Sequence, residues 1–213
     1  YSVAWIDCLA GGADLGRSLV MLGDHAHVND LPKGQRQTPF EVPKKTKRTV
    51  PFDFPGFVLN RLTARAFNAY YYWAGSRKTG EQIVDWDTYF YPLDAILQWN
   101  RIYGRKGFAQ FQCVLPLNTS EAGLAELLKA ISKAGTGSFL AVLKRFGAQD
   151  SAFSFPMEGY TLALDFPINP RTLALLTELD RITLDHGGRF YLAKDARMSA
   201  ETFAASDSRI EAF

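Results

Sequence analysis

The residues of this chain best suited to chemistry are lysines and amides set into apolar strands. Lys194 closes Gly187-Gly188-Arg189-Phe190-Tyr191-Leu192-Ala193-Lys194-Asp195, which reads as an apolar strand leaving a helix stop. A lysine desolvated at a strand end trades protons near neutrality and suits acid/base work. The alternative is a lysine that simply emerges into solvent where the strand stops. Gln110 and Gln112 lie two apart in Gly107-Phe108-Ala109-Gln110-Phe111-Gln112-Cys113-Val114, so a strand points both amides to one face. Each amide carries donors and an acceptor, the pattern a polyhydroxylated ring needs; an exposed sheet face would carry the same residues. Thr161, Ala163 and Asp165 share one face of a further strand, as do Leu140, Val142 and Lys144 of another. Lys144 is either a ligand contact or a snorkelling edge lysine.

Other polar residues make weaker sets. His25 and His27 sit two apart with no third ligand at useful spacing, so no metal site is expected. Asp85 and Asp87 flank Trp86 without an apolar setting that would separate their acidities. His186 lies at a helix end, where a cation is favoured anyway. No Ser/His/Asp or Cys/His set emerges, and no glycine-rich phosphate loop follows a strand.

The 213 residues, 47% hydrophobic, suffice for one substantial core. The 24 basic and 22 acidic residues are interspersed, which gives no nucleic-acid footprint. Cys8 and Cys113 are expected free and buried. No run has the ~20 apolar residues of a membrane span. The start, without methionine or a basic leader, suggests a piece of a longer protein and leaves localisation unknown.

Patterning places strands at residues 2 to 8 and 17 to 25, then a long, Pro-rich loop at 31 to 57 that carries the basic run Lys44-Lys45-Thr46-Lys47-Arg48. Such a loop is a functional lid or a solvated linker. Asn60 to Trp73 is ambiguous. Asp94 to Tyr103 reads as a helix stopped by Gly104, and Gly107 to Leu115 as a strand halted at Pro116. Asn118 is expected to cap a helix with Leu124, Leu127, Leu128 and Ile131 in one stripe, closed by Gly135 and Gly137. Strands at Ser138 to Phe146 and Tyr160 to Ile168 precede a helix opened by Asn169-Pro170, with Leu175, Leu176, Leu179, Ile182 and Thr183 inward. The strand carrying Lys194 follows, then a helix from Ala200 to Ala212 capped by Ser199. The class expected is α+β, a mainly antiparallel sheet with helices packed on one face, in a single domain.

Several segments together resemble one family. They are Tyr1-Ser2-Val3-Ala4-Trp5-Ile6-Asp7, Tyr91-Pro92-Leu93-Asp94, Trp99-Asn100-Arg101-Ile102-Tyr103-Gly104, Gly107 to Gln112, Ser138-Phe139-Leu140, Lys144-Arg145-Phe146-Gly147, Asp165-Phe166-Pro167-Ile168 and Gly188 to Asp195. The family is the decaprenylphosphoryl-β-D-ribose 2′-oxidase group of FAD-dependent oxidases, within the vanillyl-alcohol-oxidase superfamily. The resemblance covers only the substrate-binding, or cap, half; the FAD-binding portion of such enzymes precedes the point where this chain begins.

The resemblance implies oxidation of a secondary sugar hydroxyl to a ketone, with FAD held mainly by the absent domain and the isolated piece inactive. It makes Lys194 the lysine beside both flavin and substrate, Gln112 and Lys144 substrate-holding residues, and Trp5, Gln110, Leu140 and Phe146 pocket walls. Thr161 and Ala163 stand where mycobacterial members carry asparagine and cysteine, which leaves the substrate open between a polyprenyl-phosphate sugar and a free sugar or lactone. A partner reductase completing an epimerisation and a peripheral membrane contact through Lys44 to Arg48 are further implications. The alternatives are an aldonolactone oxidase cap and a non-catalytic carbohydrate- or lipid-binding module.

Overall fold

The computed structural model describes residues 1–212 except 137, 139, 152, 153 and 195. Gly137, Phe139 and Asp195 of the sequence motifs therefore lie outside the described residues. The first half contains β1 (Ser2–Ile6), β2 (Ser18–Leu22), β3 (Arg48–Thr49), α1 (Arg61–Ser76), α2 (Trp86–Phe90) and β4 (Ile96–Leu97). The second half contains β5 (Phe108–Pro116), α3 (Ser120–Ala134), β6 (Ala141–Phe146), β7 (Gly159–Pro167), α4 (Pro170–Asp185), β8 (Arg189–Phe190) and α5 (Ala200–Ser206).

Alternation builds the sheet. Phe111, Cys113 and Leu115 of β5 and Leu162, Leu164 and Phe166 of β7 turn to one side and are buried. The stripes Leu127, Leu128 and Ile131 of α3 and Leu175, Leu176, Leu179 and Ile182 of α4 close over that side. Each such fully buried side chain contributes about 1.5–3 kcal/mol of transfer free energy. Six strands in the order β2-β1-β6-β7-β5-β8 form one sheet with every neighbouring pair antiparallel. β5–α3–β6 and β7–α4–β8 interleave as a split βαβ pair, the ferredoxin-like arrangement, which β1 and β2 extend at the β6 edge. The class is α+β, with α3 and α4 on one face as expected.

α1 is placed on the opposite face. Tyr71 packs on Trp5 with ring centroids 4.8 Å apart, Asn68 bonds Asp7, and a Cβ on Gly75 would meet Leu19 at 2.2 Å. The ambiguous 60–73 region is thus helical, capped by Asn60, whose side-chain oxygen accepts from Leu62 and Thr63 N–H. Asp7 ties this corner together: its carboxylate accepts from Arg17 at 2.7 and 3.0 Å, from Asn68 at 2.8 Å and from the Leu9 N–H.

Several boundaries differ from expectation. Asp94 to Tyr103 is not an α-helix. Ile96–Leu97 pairs in parallel with Arg48–Thr49, Gln98 takes a left-handed φ of 56°, and Trp99–Tyr103 is a 3₁₀ turn. The strand partner came from the Pro-rich loop, and local periodicity contains no trace of it. That loop is strapped down where Arg101 donates to the carbonyls of Val50 and Pro51. The basic run is not wholly free, because Lys45 pairs with Asp87 at 2.8 Å.

Thr119, not Asn118, occupies the N-cap position of α3 without a side-chain capping bond, and its hydroxyl donates to the His186 carbonyl at 2.7 Å, joining the start of α3 to the end of α4. β6 begins only at Ala141, because the Ser138 hydroxyl accepts from the Leu140 N–H and diverts the chain. β8 ends at Phe190, so Lys194 lies beyond the strand in a turn closed by its own N–H to the Tyr191 carbonyl. The last helix stops at Ser206. Asp207 is extended there and takes up the Arg209 guanidinium, and a 3₁₀ turn, Ser208–Ala212, follows. Cys8 and Cys113 are free and buried, their thiols pushed up to about 12 by burial, which removes both as nucleophiles. Among the described residues no helix is long and apolar enough to cross a membrane.

Candidate active site

The face of the sheet turned away from α3 and α4 collects the residues singled out by sequence. Strand register sets Trp5 beside Val142, Val142 beside Ala163 and Ala163 beside Gln112, a row across four strands. Tyr191 extends the row by donating its N–H to the Gln112 carbonyl at 3.0 Å. In the adjoining row Lys144 pairs with Thr161, and on the other side Gln110 pairs with Asp165. Leu140 immediately precedes the Ala141–Leu164 pair, outside the ladder, so the register does not assign it a face. Trp5, Gln110, Gln112, Lys144, Phe146, Thr161 and Ala163 share one face.

The chemistry of the face is graded. The Gln112 amide nitrogen donates to the Thr161 hydroxyl at 3.3 Å, which leaves the amide oxygen as an acceptor. Lys144 is exposed on an interior strand rather than an edge strand, so its position is not an edge-protecting one. Aromatic rings border both ends. Trp5 and Tyr71 stand at one, while Phe155 stacks on Tyr191 at 4.9 Å and meets Phe146 edge-on at 5.9 Å at the other.

Lys194 is exposed in its turn rather than desolvated, so this chain's own atoms do not strip its water. Asp165, a residue without an assigned part at the level of sequence, is only 1% exposed, and among the described residues neither carboxylate oxygen has a hydrogen-bond partner. Burial pushes its pKa up to about 6; the Gln110 side chain and the positive charge of Lys194 pull it back. Nearby, burial first and the Asp165 charge second push the Tyr103 phenol above its ordinary range.

The arrangement can bind and orient hydroxyl groups through paired amides, with the buried Thr161 backing Gln112, and two lysines can meet negative charge or move a proton. Toward a flavin, the donor this chain would offer is the exposed Lys194 ammonium in the turn after β8. Sequence reasoning placed Asp165 on this face with Thr161 and Ala163 but left it without a role. Tyr191 shared the Lys194 segment, and nothing local pointed to Phe155. Two clefts, of about 250 and 430 Å³, lie elsewhere: one beside Arg189 and Asp207, the other between Phe54 and Ile168. Neither contains a residue of the predicted set.

Fold and face together define an α+β architecture whose open sheet face is polar and bordered by aromatic rings. No family model matches the chain. It is 36% identical over 215 residues to decaprenylphosphoryl-β-D-ribose oxidase of Mycolicibacterium smegmatis, a match covering 99% of this chain and 46% of that protein. It is also 28% identical over 215 residues to an uncharacterised protein of the mprA 5′ region of Streptomyces coelicolor, covering 96% of this chain and 57% of that protein. The chain spans about half the length of the curated relatives it matches.

Proposed function

We propose that this chain is the substrate-binding, or cap, domain of an FAD-dependent oxidoreductase of the decaprenylphosphoryl-β-D-ribose oxidase kind. The reaction is oxidation of a secondary hydroxyl of a polyprenyl-phosphate pentose to a ketone. One observation carries the reading: residues far apart in sequence, from Trp5 to Ala163, converge on a single sheet face of hydroxyl-binding character, and the chain matches the oxidase along nearly its whole length.

In this reading Gln110 and Gln112 orient the sugar hydroxyls, and Thr161 holds the Gln112 amide in register. Trp5, Leu140 and Phe146 wall the ring, Ala163 forms floor beneath it, and Lys144 meets the anionic portion of the substrate. Lys194 orients the reacting hydroxyl and carries away its proton. FAD, held by a separate portion of the enzyme, supplies the acceptor for the hydride. A partner reductase completes an epimerisation, and Lys44, Lys47 and Arg48 meet a lipid phosphate or an anionic membrane surface.

The test is anaerobic flavin bleaching in the complete protein, challenged with polyprenyl-phosphate pentoses, free sugars and aldonolactones. Bleaching by the lipid-linked pentose supports the reading. Bleaching only by a lactone or small sugar moves the assignment to an aldonolactone-type oxidase. A protein that binds these ligands and carries no flavin is a binding module.

A further inference from the structure

Helix α1 is turned opposite to an ordinary surface helix. Its small and polar side faces the sheet, where Ala64 and Asn68 are buried and a Cβ on Gly75 would meet Leu19. Its large apolar side faces out. Leu62, Ala66, Tyr70 and Trp73 recur at the spacing of one helical stripe, on the side opposite Ala64 and Asn68, and Leu62, Tyr70 and Trp73 are 77%, 65% and 51% exposed. An exposed apolar stripe of this kind marks a surface that a partner covers. Charge says which partner. Residues 42 to 80 carry eight basic side chains and one carboxylate, Asp53, although the whole chain has 24 and 22. Of the eight, Arg61 and Arg65 flank the stripe along the helix, and Arg77 and Lys78 follow its end, where the Arg77 guanidinium stands 3.9 Å from the Trp73 ring centroid. All four are exposed, and among the described residues none of them is in an ion pair. A second copy of the chain would bring the same positive charge to the stripe and be repelled. An anionic lipid surface supplies both parts, negative charge for the arginines and an apolar boundary for Leu62, Tyr70 and Trp73. With 16 residues and two internal arginines, α1 suits lying in such a boundary rather than crossing it.

We propose that the outward stripe of α1 docks on an anionic membrane surface, with Leu62, Tyr70 and Trp73 seated between headgroups and acyl chains and the four cations on lipid phosphates. Tyrosine and tryptophan, each an apolar ring with one polar atom, suit that depth. The helix stands on the same side of the sheet as the candidate ligand face, and its Tyr71 packs on Trp5 at the end of the row. Docking there brings that face to the layer in which a polyprenyl chain resides. The inference deepens the reading of a polyprenyl-phosphate substrate and rests on it for what the docking serves; the lipid contact itself rests on α1. It differs from the loop contact of Lys44, Lys47 and Arg48 in requiring apolar side chains.

The test uses the complete flavoprotein with vesicles of phosphatidylcholine, alone or with one-quarter phosphatidylglycerol. The protein is expected to sediment with the anionic vesicles, and Leu62→Ser, Tyr70→Ser and Trp73→Ser together are expected to weaken that binding about tenfold or more at unchanged flavin content. Arg61→Gln with Arg65→Gln is expected to weaken it severalfold and to flatten its dependence on salt. Absence of vesicle binding, or binding that the triple serine change leaves intact, overturns the proposal. The wild-type protein gives a second readout that no folding defect disturbs. Hydroxyl-radical oxidation of Tyr70 and Trp73 is expected to fall about threefold or more when anionic vesicles are added. Rings as reactive with vesicles as without overturn the proposal. Rings already protected before vesicles are added overturn it too, since another part of the protein or a second copy then covers the stripe. Failure of the two readings is distinguishable. If vesicles bind through the stripe while no polyprenyl-phosphate pentose bleaches the flavin, the reaction assignment fails and the docking stands. If the pentose bleaches the flavin while the triple change leaves vesicle binding intact, the docking fails and the reaction stands.

Discussion

Replacing Asp165 with asparagine removes one ionisation from a nearly unchanged shape, and the structure sets the size of the effect. In the fold burial raises the carboxyl from 3.8 to about 6. Two units at about 1.4 kcal/mol each amount to roughly 3 kcal/mol. The sign follows from which state binds the proton. Below pH 3.8 both folded and unfolded chains are protonated and there is no penalty. Between 3.8 and 6 the unfolded chain ionises first, so stability falls as pH rises, and above 6 the whole penalty stands. Asp165→Asn is therefore expected to match wild type near pH 4 and to exceed it by about 2–3 kcal/mol at pH 7. Urea denaturation between pH 4 and 7.5, followed by tryptophan fluorescence, measures the difference. Parallel pH profiles for the two proteins would refute the reasoning, since the difference isolates this one group.

Asp7→Ala strips the buried partner from Arg17 and Asn68 and should lower stability by about 3 kcal/mol, seen as a reduced urea midpoint at constant slope; a loss under 1 kcal/mol contradicts the network described. Lys194→Ala in the complete protein should slow flavin reduction by about 10²-fold or more with flavin content intact, and near-normal reduction would remove Lys194 from the mechanism. Neutralising Lys44, Lys47 and Arg48, with Lys45 left to Asp87, should raise KM for a phosphorylated lipid substrate; unchanged kinetics and membrane association reject a role for the run. Gly159→Ala would drive a Cβ to 1.9 Å from the Leu115 carbonyl oxygen where β7 meets β5 and is expected to cost at least about 2 kcal/mol by thermal denaturation.

What the sequence determined by itself is everything that depends on near neighbours along the chain. Alternation at Phe111, Cys113 and Leu115 against Gln110 and Gln112 defines β5 and says which residues travel together. The stripe Leu175, Leu176, Leu179 and Ile182, opened by Asn169-Pro170, defines α4. The same reasoning failed for Asp94 to Tyr103, where an apolar run as short as Ile96–Leu97 is helix or strand according to a partner some 48 residues away in the chain. It also overran β8, because nothing in Tyr191 to Lys194 marks where a ladder partner ends. Only the tertiary structure decided that Trp5, Val142, Ala163 and Gln112 form one row, since that follows from the strand order β1-β6-β7-β5 and its register. It alone decided that α1 lies against Trp5, that Phe155 faces Tyr191, and that Asp165 is buried with no hydrogen-bond partner among the described residues. Periodicity records which face a residue takes; desolvation and charge coupling arise from residues brought together across the sheet, and no local pattern encodes them.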